Sequence, residues 1–151
     1  MAIARGAGTE IIRSAAFKEV DNAEQMLIVG EQHHIYTVLS VICHANSVAT
    51  AGNKFHIRLR TYDSKGGTAL QELKMVQQPM NALETFVWND KFSFNGVEPV
   101  DFAGPLSTAA MQNAIADQAH ATPNLQKLSC FTDQAADNFD VFVTYIDQNN
   151  A

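Results

Sequence analysis

The chain has 151 residues, a formal net charge of −6, and 46% hydrophobic against 17% charged residues. That length predicts a single domain that can bury roughly 68–70% of its unfolded surface without help from a disulfide or metal. Sixteen acids face ten bases, and no basic cluster exceeds Arg58 and Arg60, so a phosphate-gripping nucleic-acid surface is excluded; no apolar run nears the ~20 residues of a membrane span.

Ordinary domains carry about 25% charged residues, so this chain is expected to leave part of its surface neutral, as lasting protein contacts require. Residues 1–9 are small and glycine-rich and read as a flexible arm ahead of one domain spanning 10–151. The stretch Met1–Gly8 lacks the apolar core of a secretory signal, so synthesis in a cytoplasm is expected. Glu10–Phe17 is a candidate first strand with poor alternation, and Asp21-Asn22-Ala23 supplies a turn after it.

From Glu24 onward short β-type runs follow one another, each cut off by a turn. Glu24–Val29 ends at Gly30, and His34–Cys43 ends at Asn46-Ser47. Lys54–Tyr62 leads into the glycine-rich loop Asp63–Gly67, read as a hairpin. Gln71–Gln77 stops at Gln78-Pro79, and Glu84–Phe94 at Asn95-Gly96. Strands at this spacing predict an all-β antiparallel sandwich of jelly-roll character.

Lys54–Tyr62 alternates most cleanly: Phe55, Ile57 and Leu59 point one way, and His56, Arg58 and Arg60 the other. In Glu84–Phe94, Phe86, Trp88, Phe92 and Phe94 share a parity that Asp90 interrupts, which predicts a bulge or turn at Asn89-Asp90-Lys91. Three strands are apolar on both faces. Met26 and Ile28 oppose Leu27 and Val29; Ile35, Leu39 and Val41 oppose Tyr36, Val38 and Ile42. Near the end, Phe139, Val141, Val143 and Tyr145 oppose Phe142 and Ile146. A two-layer sandwich covers one face of each sheet, so the second faces call for a helix or a neighbouring subunit.

The helix expected is Leu106–His120, alanine-rich, bracketed by Pro105 and Pro123, with a Met111, Ala114, Ile115 stripe. It stands before the last two strands, Leu125–Thr132 and Asn138–Asp147. At this length it is marginal alone and needs packing.

No constellation for chemistry emerges. His33 and His34 are adjacent and would face opposite sides of a strand, as would Cys43 and His44. No His or Cys pair has ligand spacing, so neither metal nor other cofactor is expected. Ser40, Ser93 and Ser129 lie in strands without a G-x-S-x-G elbow, and Asp137 with Asp140 reads as strand-start capping. The chain is therefore expected not to be an enzyme. Cys43 and Cys130 read as small buried thiols. The Phe86, Trp88, Phe92, Phe94 series reads as core before it reads as a sugar platform, with Trp88 the expected keystone of the fold.

The order of segments resembles small β-sandwich proteins of tailed bacteriophage particles, particularly capsid decoration proteins of marine phages. The likeness is carried by His34–Val38, by the Tyr62–Gly67 turn, by Glu84–Gly96, and by Asn138–Val141 with the Ile146-Asp147 end. Together these span most of residues 30–147, while Leu106–Ala121 falls outside the shared pattern. The resemblance implies a structural virion protein that binds the outside of an assembled shell as a homotrimer. Its expected partners are the major capsid protein and copies of itself. Ala2, Ile3, Arg5, Ile11, Ile12 and Arg13 are the candidate shell contacts. Tyr36, Val38, Ile42, Phe142 and Ile146 are the candidate contacts between copies. The alternative of another class is a tail or fibre component touching a host receptor through Tyr36, Trp88 or the Arg58/Arg60 face.

Overall fold

The computed structural model describes residues 9–31, 33–62, 70–96 and 125–149. Nine strands form within them: β1 Thr9–Val20, β2 Gln25–Val29, β3 His34–Ser47, β4 Lys54–Tyr62, β5 Leu70–Pro79, β6 Thr85–Trp88, β7 Phe92–Asn95, β8 Lys127–Phe131 and β9 Asn138–Asn149. Every pairing is antiparallel and the pairs are nested: β1 with β9, β2 with β8, β3 with β6 and β7, β4 with β5. Successive nested pairs fall in alternate sheets. One sheet runs β1-β9-β3-β6 with β7 also on β3, and the other runs β2-β8-β4-β5. A chain doubled on itself and wrapped into two sheets in this order is a jelly roll.

The expected alternation places the core. Phe55 and Ile57 of β4 and Leu128 and Cys130 of β8 meet Phe139, Val141 and Val143 of β9, all buried. At the centre the rings of Phe55 and Phe139 stack across the two sheets with centroids 6.2 Å apart. Toward one end Tyr36, Phe94, Phe92 and Trp88 follow in contact, with centroids 5.4 to 6.1 Å apart. The Glu84–Phe94 run is broken at residues 89–91, as the misplaced Asp90 suggested, so β6 and β7 pair separately with β3.

Two bulges account for two of the three strands that looked apolar on both sides, β3 and β2. In β3, Val38 pairs with Tyr145 and Ser40 with Thr144, so Leu39 is an extra residue. An extra residue flips the parity that follows it. Tyr36 and Val38 therefore point inward before the bulge, and Val41, Cys43 and Ala45 point inward after it. In β2 the register shifts between Met26 and Ile28, and Leu27 and Ile28 are both buried. No helix or neighbour is needed to cover these residues.

At one end the two sheets are stitched by backbone hydrogen bonds. Gly30 N–H donates to Gln126 O at 2.8 Å, Gln126 N–H to Gly96 O at 2.9 Å, and Gly96 N–H to His34 O at 2.8 Å. A Cβ on Gly30 would lie 2.1 Å from Gly96 O, and one on Gly96 would lie 1.9 Å from Glu31 O. Only glycine admits so close an approach.

The helix expected at Leu106–His120, the hairpin loop expected at Asp63–Gly67 and residues 1–8, expected as an arm, lie outside the described residues. Thr9, read as the last arm residue, already belongs to β1 and pairs with Asn149.

Trp88 is half-buried, whereas Phe55 and Phe139 are fully enclosed, so the keystone is the phenylalanine pair. Phe139→Ala is expected to cost about 3–5 kcal/mol, and Trp88→Ala distinctly less, in urea denaturation followed by circular dichroism. Cys43 and Cys130 are free and buried. Burial pushes the Cys130 thiol up to about 12 and Cys43 up as well. Neither should react with a disulfide reagent until the protein unfolds; modification of the native chain at the rate of an exposed thiol would contradict this packing.

Candidate functional site

The outer face of the five-stranded sheet departs from what water-facing strands normally present. An antiparallel sheet with one wet face carries polar residues there. Here Phe142 of β9 is 40% exposed, Ile42 of β3 36%, and Val87 of β6 53%. Register puts them in one line: Ala16 opposite Phe142, Phe142 opposite Ile42, and Ile42 opposite Val87. The row crosses four strands. Two pairs further along β9, Ile146 lies opposite Ile12 on one side and Thr37 on the other, and Ile12 is 71% exposed. Between the two apolar rows runs a line of hydroxyls, Ser14, Thr144 and Ser40. Ala16, Phe142 and Ile42 floor a shallow depression edged by Lys18, Asp140 and His44, where Lys18 Nζ meets Asp140 Oδ2 at 2.9 Å.

The outer face of the four-stranded sheet is the opposite kind of surface. Arg58 and Arg60 both reach Glu24 and Glu72. The Arg58 guanidinium also sits 4.8 Å from the centroid of Phe131. His56 stacks on the same ring at 4.6 Å and bonds Asp133 at 2.6 Å. Burial works against the Glu24 charge, yet the Arg58 and Arg60 cations hold its carboxyl below the ordinary value. The basic stripe seen in the sequence is thus neutralised within the chain.

One end holds a polar cluster with a catalytic look. His34 Nδ1 lies 2.6 Å from Asp147 Oδ1, and Arg13 Nε donates to Asp147 Oδ2 at 2.9 Å. An orienting carboxylate on a histidine is the frame of a nucleophile system. The other imidazole nitrogen, however, faces Glu31 at 3.5 Å, so the ring bridges two acids, and among the described residues no serine or cysteine completes a relay. The neighbouring Tyr36 hydroxyl accepts the Glu31 N–H at 3.0 Å. Burial, then the charges of Asp147 and Glu31, push its phenol up. The cluster ties the ends of β1, β3 and β9. Among the described residues no group of three or more His, Cys, Asp or Glu is placed to hold a metal ion.

The residues expected to touch partners are divided by this geometry. Ala2, Ile3 and Arg5 lie outside the described residues. Ile11 is half-buried on the inner side of β1, Ile12 is exposed, and Arg13 is engaged by Asp147. Among the expected contacts between copies, Ile42, Phe142 and Ile146 share the outer face. Tyr36 and Val38 do not: at 3% and 1% exposure they are core, because the Leu39 bulge turns them inward. Sequence reading missed Ala16 and Val87, which complete the row. Val87 was legible as the outward residue between Phe86 and Trp88; Ala16 needed the β1–β9 register.

No protein-family model matches the chain, and no curated protein matches it in sequence. Among solved structures it is similar to a protein of Bacillus endospore appendages, described as disulfide-linked pili, at 11% identity and TM-score 0.39, covering 100% of this chain and 97% of that one. It is also similar to a protein of infectious bursal disease virus, Gx strain, at 6% identity and TM-score 0.42, covering 93% of this chain and 33% of that one. A chain from the T13 particle of that virus gives 8% identity and TM-score 0.39, with 99% and 37% covered. This chain thus spans about a third of the viral chains. Likeness at this level assigns no function.

At the opposite end from His34, Asp137 clamps two loops: it accepts from Ala49 N–H at 2.7 Å, Asn53 Nδ2 at 3.1 Å and Gln134 N–H at 3.0 Å. Burial opposes its charge, but these donors hold the carboxyl below its ordinary 3.8. A depressed folded value means the stabilisation is full above 3.8 and is lost as pH falls through the lower folded value. Asp137→Ala should cost roughly 1–3 kcal/mol at neutral pH by orphaning buried donors. Its denaturation midpoint should then fall less than that of the natural chain between neutral pH and pH below 3.8.

Proposed function

We propose that this chain is a structural protein of a virus particle that works by binding other proteins and performs no catalysis. The observation that carries the reading is the row of exposed apolar side chains across four strands of one sheet, on a jelly roll whose opposite face is closed by its own ion pairs. Exposed apolar area of this kind marks a protein-contact surface. The finer reading is that of a decoration protein: the chain sits on the outside of an assembled phage capsid and reinforces it. The resemblance of residues 34–38, 62–67 and 84–96 to phage decoration proteins supports that choice.

The described residues that flank the remaining stretches all lie at one end of the sandwich. Thr9 pairs with Asn149, which also pairs with His34. Tyr62 pairs with Leu70, and Gly96 is bonded to Gln126. Connections clustered at one end of a rigid sandwich are where such folds place their binding segments. In this proposal residues 1–8, continuing from β1, make the shell contact.

The test is co-sedimentation of purified protein with assembled capsids that lack it. Binding at a copy number matching the shell subunits, lost on deletion of residues 1–8 while the denaturation midpoint stays unchanged, is the expected outcome. Copies confined to a tail or a single vertex would move the protein to the tail reading. Absence of the chain from purified particles would end both.

A further inference from the structure

The exposed face of the five-stranded sheet has an order that matches itself when reversed. Along β9 the outward residues run Gln148, Ile146, Thr144, Phe142, Asp140: polar, apolar, hydroxyl, apolar, charged. On β1 the rows repeat as Ile12, Ser14 and Ala16, while on β3 the polar Thr37 stands in the first row, with Ser40 and Ile42 in the next two. On β1, charge is held to the two ends of this face, with Glu10 at one and Lys18 at the other. We infer that this face is a self-complementary interface whose occupant is the same face of a second copy. The two-fold axis lies in the interface plane, along the hydroxyl row and across the strands.

That operation sets each hydroxyl row on its twin. It places the Ile12 and Ile146 row of one copy over the Ala16, Phe142 and Ile42 row of the other. It also brings Glu10 of each copy toward the Lys18–Asp140 pair of its mate, twice, once at each end. An isologous contact requires this kind of palindromic order, because every residue must suit the position its own reverse presents. A face with the same charge at both ends would stack acid on acid or base on base and repel. The opposite sheet offers no such surface, since Arg58, Arg60, Glu24 and Glu72 are already ion-paired with one another there.

Size is adequate as well. Four strands at ~4.8 Å spacing and about nine residues at ~3.4 Å make a face of roughly 20 by 30 Å. That is of the order of the ~800 Å² per partner buried in a standard interface. Stacked sheets of this kind lie ~10 Å apart with strands nearly aligned, so Phe142 can fill the gap beside Ile146 of the partner copy. The inference rests on the reading of the chain as an assembling structural protein and replaces the three-fold symmetry implied by the resemblance with a two-fold one.

The test uses the purified full chain alone, so its failure leaves shell binding untouched and failed shell binding leaves it untouched. Sedimentation equilibrium should give twice the chain mass, with a dissociation constant raised about 30-fold or more by Phe142→Asp. Circular dichroism of that variant should show a folded chain, since the side chain is already exposed. Lys18→Glu should weaken the dimer, and adding Glu10→Lys should restore it. Because the native thiols are buried, Thr144→Cys should be joined to its own counterpart by a short bis-maleimide. A monomer at all concentrations, a trimer, or a dimer indifferent to Phe142→Asp and to the charge exchange would each overturn the inference.

Discussion

The register of β9 is the constraint on which the rest of the molecule depends. This strand is hydrogen-bonded on both flanks, to β1 on one side and β3 on the other. Its alternation sends Phe139, Val141 and Val143 into the core and leaves Phe142 and Ile146 outside. Because side chains alternate with period two, a slip by one residue would expose the first set and bury the second. The stack of Phe139 on Phe55 then holds the two sheets at a fixed offset, and the inner aromatic line from Tyr36 to Trp88 follows from that offset. Core and outer face are thus set by one choice of parity.

The two outer faces show how different surfaces come from the same kind of strand. On β4 the outward positions are His56, Arg58 and Arg60, long cationic or aromatic groups that can fold down onto Phe131 and onto carboxylates. They cover the sheet beneath them and leave little to offer a partner. On β9 and β3 the outward positions between Asp140 and Gln148 are hydroxyls and apolar groups, and Phe142, Ile42 and Ile146 among them have no polar group with which to close the surface. Such a face is better covered by a second surface than by water. The contrast supports an assembling role more directly than any likeness in overall shape.

Much of this was readable in the sequence because period-two alternation survives wherever one face is buried. β4 was legible residue by residue, and so was the split of β9 into inner and outer sets. The break between β6 and β7 was legible because Asp90 fell on an apolar parity. What was not legible were insertions into the alternation. Leu39 looks like any other apolar residue of β3, yet as a bulge it reverses the meaning of every position after it. That is why Tyr36 and Val38, grouped with Ile42 by simple parity, are core while Ile42 is surface. Trp88 was overvalued for a related reason: residue size is visible in a sequence, but position within the layer is not. The apolar row needed strand pairing, since its members Ala16, Ile42, Val87 and Phe142 come from four separate segments.

The stitch at Gly30, Gly96 and Gln126 has a consequence for how the molecule can change. Gln126 N–H bonds to Gly96 O at 2.9 Å, and its side-chain amide donates to Asn95 O at 2.9 Å. Gly96 and Gln126 are therefore held one hydrogen bond apart. Whatever passes between these posts has its ends already fixed, and doubling its length costs only ~0.6 kcal/mol of closure entropy. Because both posts are held by hydrogen bonds, a change of length between them strains none of the strand pairings described above.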